Sequence, residues 1–372
     1  MASQPESHIV DVADARLHGL AFAHAVAAVD ERLAAEPGEL ALRDDPLVIH
    51  DVSGEQLFYD FSLLAGDTPL GYVRTAADAR VGTPVVAVER SRRSWDPAAA
   101  AAAATRRAGE EGVSVHDTRV VCYCYPKLGI QILAEGSDGE RRTQIFDVAS
   151  GSLVGEETDD PSDQVSVRSY LAGLDVQARL ADFAESRGAI AQLVGPGERI
   201  DLPELLPQAR SEVWLDPACR KTLGVPMYAQ ITDYNCVPAS AEMVLDHYGW
   251  NFTQAEIAHA MGTTPTGTSY AGFAAGIATL TKNTMTPNQP DINWTRAQQW
   301  DLVTSELAAN RPVFTQMPGH YRICTAFVSV LFFQLLHIHD PWPWNANVCG
   351  GGADYWENWN KTSIEWFVTL QH

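Results

Sequence analysis

Apolar and polar positions along this chain follow two periods, and the switches between them mark the elements. Residues 14–34 place Leu17, Leu20, Ala21, Ala25, Val29 and Leu33 at helical spacing, which predicts one amphipathic helix with Asp14 as its N-cap. Pro37-Gly38 ends it. The period then drops to two. Leu47–Val52, Gln56–Leu64, Leu70–Arg74 and Pro84–Glu89 read as strands. A second helix follows, with Asp96 as cap, Pro97 in the first turn and an alanine run from 98 to 104. Arg119–Tyr125, Leu128–Ala134 and Thr143–Val148 are strands again. Segments 14–89 and 97–154 therefore share one order, a helix and then antiparallel strands. That repetition reads as a degenerate duplication.

The middle of the chain is less regular. Glu156 to Asp163 is an acidic run with Pro161 and Ser162, the composition of a solvated linker. Leu174–Ser186 reads as a helix. Residues 195–224 are rich in Pro and Gly, and are expected to lie over a neighbouring domain and cover a site there. Regular patterns return after 220. Helices are predicted at 237–248, 254–261 and 295–310, with Thr253 capping the second and Glu256 in its first turn. Strands are predicted at Pro312–Met317, Tyr321–Val328, Leu331–His339 and Ser363–Leu370. A Trp-rich loop, 341–361, separates the last two.

The predicted class is α+β, with 1–154 a helix–sheet region, 155–219 a linker and helix, and 220–372 a further domain. A length of 372 residues accommodates this division. The formal charge of −21 speaks against nucleic acid as a partner, since phosphates would be repelled. It suits an acidic, soluble, bacterial-type enzyme. The N-terminus lacks a basic stretch followed by an apolar core, so a cytoplasmic location is expected. No apolar run approaches the length of a bilayer span, so no membrane insertion is expected. The six cysteines are expected to be reduced, with Cys122 and Cys124 structural. Oligomeric state is not legible.

Chemistry concentrates in residues 225–248. Cys236 stands just before a helical pattern, and Pro238 presets φ in its first turn. The positive end of a helix favours thiolate, the form that attacks carbonyl carbon. A lone cysteine in this setting is more often a small buried hydrophobe. Two later features shift that balance. His320 follows Pro318-Gly319 at a turn that leads into a strand, and Asp340 closes the next strand. An imidazole that takes the thiol proton, oriented by a carboxylate, is the arrangement of thiol hydrolases.

These residues resemble a family. Val225-Pro226, Tyr228 and Gln230, then Asn235-Cys236 with Ala239-Ser240-Ala241, Gly319-His320-Tyr321, and Asp340-Pro341-Trp342-Pro343 are similar to the papain-like cysteine peptidases of the bacteriocin-leader-processing type. The resemblance covers about residues 225–372. It implies a papain-like fold for that region. It also implies Cys236 as nucleophile, His320 as base and Asp340 as orienting acid. Gln230 and the Cys236 backbone N–H would be the oxyanion donors. The implied reaction is peptide hydrolysis through a thioester, on a peptide or protein substrate and without a cofactor. The N-terminal region would be regulatory or a recognition module. Transfer to an amine acceptor and a catalytically dead binding protein are the alternatives. His337 and His339 face one side of their strand, and with Asp340 they raise the question of a metal. No spacing supplies the missing ligand, so no metal is expected. Trp342 could pack as part of a lid or keep water from the carboxylate–imidazole bond.

Overall fold

The computed structural model describes residues 8–371, apart from 92, 111, 137–138, 156–164, 194–219, 291–293, 344–350 and 360–365. The acidic linker, most of the Pro/Gly-rich segment, Cys219, Cys349 and part of the Trp-rich loop therefore lie outside the described residues.

The N-terminal half holds helices α1 (Val12–Ala27) and α2 (Glu31–Ala35), then strands β1 (Leu40–Leu42), β2 (Leu47–Asp51), β3 (Gln56–Ala65), β4 (Thr68–Ala76) and β5 (Val85–Glu89). Helix α3 (Pro97–Glu110), strands β6 (Ser114–Cys124), β7 (Lys127–Glu135) and β8 (Arg141–Asp147), and helix α4 (Val176–Ala191) follow. The C-terminal half holds β9 (Arg220–Thr222), α5 (Cys236–His247), α6 (Gln254–Ala260), α7 (Tyr270–Leu280), β10 (Thr286–Asn288) and α8 (Arg296–Ala308). It ends with β11 (Val313–Met317), β12 (His320–Val330), β13 (Phe333–Asp340), β14 (Ala353–Asn358) and β15 (Trp366–Gln371). The α+β class holds. The two N-terminal segments differ in strand number, β1–β5 against β6–β8.

Local chemistry explains the element ends. The predicted helix 14–34 is two helices, and its cap is Asp11 rather than Asp14. Asp11 Oδ1 accepts from the Ala13 and Asp14 N–H groups, which leaves Asp14 in the first turn. Asp30 breaks the run by capping α2 with Oδ1. The alanine helix starts as expected, with Asp96 Oδ1 accepting from Ala99 N–H at 2.7 Å. Thr253 and Glu256 form the reciprocal capping box at the start of α6.

One sheet runs through both halves in the order β10-β15-β11-β12-β13-β14-β5-β4-β3-β2-β6-β7-β8. Its seam is the antiparallel pair β14–β5, with Tyr355 opposite Glu89 and Trp356 opposite Val88. The one parallel pair among the described strands is β2–β6. Side chains also cross the seam. Phe22 of α1 meets Phe333 of β13 edge to face, centroids 5.0 Å apart. Trp356 Nε1 donates to Asp30 Oδ2 at 2.7 Å. One apolar core extends from α1 to β15, so the N-terminal half is built onto the C-terminal half rather than tethered beside it. Helix α5 packs on β12, which brings the cysteine and the histidine elements together. No described helix is long and apolar enough to cross a membrane.

Candidate active site

Cys236 is the first residue of α5 and is wholly buried. Asn235 precedes it but makes no capping bond with its side chain. The sulfur faces the backbone N–H groups of Val237 and Tyr321. Ser240, one turn along, donates its hydroxyl to the Tyr321 carbonyl at 3.3 Å. These contacts hold the start of α5 against the start of β12.

His320 is the first residue of β12, opposite Met317 of β11. The connection between the strands is Pro318-Gly319, and Gly319 sits at φ +70°, a conformation that a Cβ would strain. His320 Nε2 donates to Asp340 Oδ1 at 2.6 Å, with both side chains fully buried. A carboxylate only accepts, so this bond assigns the proton to Nε2 and leaves the lone pair on Nδ1. Nδ1 is buried and has no hydrogen-bond partner. It is the nitrogen available to take a proton.

Asp340 is held on every side. Oδ1 also accepts the Trp342 backbone N–H at 2.9 Å, and Oδ2 accepts the Tyr355 hydroxyl at 2.9 Å. Tyr355 in turn accepts from Arg322 Nη1 at 2.7 Å, and Arg322 pairs with Glu357 at 2.5 Å. Arg322 and Glu357 are both fully buried. Burial alone would push the Asp340 carboxyl up. The charge and hydrogen bond of His320 and the nearby Arg322 outweigh it and hold the group below the usual carboxylate range.

Cys236 and His320 are both shifted toward their neutral forms. Burial pulls His320 below an ordinary imidazole, against the pull of Asp340. Burial pushes the Cys236 thiol up, and the Lys127 ammonium opposes that rise. At neutral pH the pair is therefore thiol and neutral imidazole in this conformation.

Gln230 is also fully buried, and its backbone N–H donates to the Pro341 carbonyl at 2.9 Å. Its side-chain amide is already used: Nε2 donates to the Thr232 carbonyl at 2.6 Å, while Oε1 has no partner. The loop 225–230 is thus fixed beside Asp340, but the Gln230 donor is turned into its own loop.

The N-terminal half reaches this site. Cys124 and Lys127 flank the tip of the β6–β7 hairpin. Cys124 Sγ donates to the Pro318 carbonyl at 3.2 Å, and Lys127 Nζ to the Gly319 carbonyl at 3.4 Å. Lys127 is 2% exposed, although it belongs to the half that carries none of the predicted catalytic residues. Trp342 Nε1 donates to Asp147 Oδ2 at 3.1 Å, which ties β8 to the Asp340 loop.

Tyr355, Arg322, Glu357 and Lys127 were not among the residues picked out in the sequence. Tyr355 and Glu357 alternate on one face of β14, and that was the one available signal. Lys127 carried none. His337 and His339 lie on the strand face opposite Asp340, so Asp340 does not join them.

Residues 222–364 match the model of the Peptidase_C39 like family. No curated protein matches the chain. Solved structures similar to it include the peptidase domain of Streptococcus ComA, a bi-functional ABC transporter. That pair shares 18% identity, covers 39% of this chain and 97% of that one, and has a TM-score of 0.29. UfSP from C. elegans is 13% identical, covers 41% of this chain and 33% of its own, at a TM-score of 0.31. Prointerpain A of Prevotella intermedia is also 13% identical, covering 89% of this chain and 98% of its own, at a TM-score of 0.31. The family match falls on the C-terminal half, where the sequence resembles papain-like cysteine peptidases.

Proposed function

We propose that the chain is a cysteine peptidase that cleaves a peptide bond through a thioester, and that this conformation is its latent form. The observation that supports the chemistry is the buried His320–Asp340 bond, with Nδ1 left free next to the residue that Cys236 Sγ faces. Cys236 attacks the amide carbonyl, Nδ1 of His320 takes the thiol proton and gives it to the leaving amine, and water then releases the acid. Asp340 keeps the proton on Nε2 and orients the ring. The backbone N–H of Cys236 is one oxyanion donor. Gln230 becomes the second once Nε2 leaves the Thr232 carbonyl.

Latency is supported by exposure. Cys236, His320, Asp340 and Gln230 are each 0% exposed, so no substrate carbonyl reaches the sulfur without movement. The β6–β7 hairpin bonded to Pro318 and Gly319 is the nearest cover from the N-terminal half. In this reading residues 1–154 regulate the site. Activation is self-cleavage within 155–224 or displacement of the hairpin by a leader-type peptide.

The test is intact mass after dilute iodoacetamide, before and after limited proteolysis between the halves. Faster alkylation of wild type after cleavage, absent in Cys236→Ala, is the expected result. Equal slow labelling of both proteins, cleaved or not, would leave a binding protein on an inactive scaffold. Product masses on peptide substrates separate hydrolysis, which adds water, from ligation to an amine, which does not.

A further inference from the structure

Strand β13 carries two histidines that the peptidase chemistry does not use. His337 and His339 share one strand face, and β14 places Asp354 opposite His339. One ligand atom from each of the three lies within 4.8 Å of the others. Each imidazole is held by an outward hydrogen bond. Thr325 Oγ1 lies 2.8 Å from His337 Nδ1 and holds that ring from outside. His337 Nε2 meets the Asp354 carboxylate. His339 donates to the Pro226 carbonyl through one nitrogen. Its other nitrogen, Nδ1, is buried without a partner, on a side chain 9% exposed. Two imidazoles held by outer partners, with their remaining nitrogens gathered near one carboxylate, are the construction of a metal centre.

The surroundings suit a cation that exchanges. A cavity of about 430 Å³ opens on the group and is lined also by Asp30, Arg90, Gly224 and Trp356. The cation there now is Arg90. Its Nη1 pairs with Asp30 Oδ2 at 2.7 Å, and its Nη2 meets Asp354 Oδ2 and lies 2.8 Å from His337 Nε2. Arg32 stands 3.6 Å from Asp354 at the rim. The guanidinium has a second carboxylate, Asp30, to keep when it gives up Asp354.

We propose that His337, His339 and Asp354 bind a divalent transition-metal ion of the zinc class, which displaces the Arg90 guanidinium from Asp354. Two nitrogen ligands and one carboxylate oxygen match that class, with the fourth position open to the cavity. The ion would clamp β13 to β14, the two strands that hold Asp340 and Tyr355. This site is independent of whether the chain is a peptidase.

The experiment is titration of metal-free, full-length Cys236→Ala protein with zinc and cobalt(II), read by calorimetry, absorption and thermal melting. One bound equivalent is expected, with a cobalt spectrum that lacks a thiolate charge-transfer band and a melting temperature that rises on binding. Asp354→Asn and His339→Ala should lose the equivalent. Thr325→Val should weaken it by about 10–100-fold through the freed His337 ring. Arg90→Met removes the competing cation and should tighten it. This variant keeps all three ligands, so it tests the proposal even if a ligand variant misfolds. Failure of both wild-type-site protein and Arg90→Met to bind either ion would overturn the proposal. So would undiminished binding in a folded Asp354→Asn protein, or a thiolate band in the cobalt complex.

Discussion

Tyr355 donates its hydroxyl to the Asp340 oxygen that His320 leaves open, at 2.9 Å. The carboxylate bonded to His320 is therefore set by a residue on the next strand, and that residue by Arg322 and Glu357 behind it. The site is the end of a buried polar chain, and its members should respond together.

Glu357→Gln tests the far end of that chain. It strands the Arg322 guanidinium, which is fully buried. Removing one member of a buried ion pair costs about 3–5 kcal/mol. Urea unfolding should show a loss of that size, and Tyr355→Phe a smaller one of about 1–3 kcal/mol from the buried groups left unpaired. Midpoints equal to wild type would mean that water already replaces these bonds.

His320→Ala should abolish proton transfer while leaving Cys236 in place. General acid–base catalysis contributes about 10²–10⁴-fold, so peptide hydrolysis by the activated protein should fall by that factor. A fall of less than tenfold would remove His320 from the mechanism.

Gly319→Ala addresses the turn. At φ +70° a Cβ is strained, and the penalty is about 1–2 kcal/mol. Part of the relief would come from moving His320. The expected outcome is a modest loss of stability with a larger loss of hydrolysis. Equal, small effects on both would show that the strand, not the turn, aims the ring.

Alkylation of the full-length chain should depend on pH in a particular direction. The Cys236 thiol is pushed up by burial and His320 is pulled down by burial. Deprotonation of sulfur therefore governs the rate. Labelling should be slow at neutral pH and climb through and beyond the ordinary thiol range near pH 8.5, without an acid plateau. Lys127 opposes the rise, so Lys127→Met should move the profile to still higher pH. A plateau reaching below pH 6 in wild type would mean that a thiolate–imidazolium pair already exists in the closed form.

Much of this architecture could be read from local pattern. The alanine helix after Asp96, the capping box at Thr253, and the strands flanking Gly319 follow from neighbours within a few residues. The order cysteine, histidine, aspartate was also legible along the chain, and the fold packs β12 on α5 and pairs it with β13. Where local signals competed, the nearer cap won. Asp11 displaced Asp14 because its side chain meets the first free N–H groups, and Asp30 split one predicted helix into two.

The remaining features depend on pairings between distant segments. The seam β14–β5 joins positions more than 260 residues apart, and nothing in either strand names its partner. That pairing places Arg90 and Asp354 together and makes one core of two halves. The register of β13 against β14 sets Asp354 opposite His339, when composition offered only the adjacent Asp340. Strand alternation sends Asp340 to the other face. Lys127 is a lysine in a hairpin, a surface residue by every local rule, until the fold closes that hairpin over the turn before His320. Local sequence fixes helices, caps and turns because their hydrogen bonds are short in chain distance. Burial, and the pKa shifts and occlusion that follow from it, exists only once remote strands have paired.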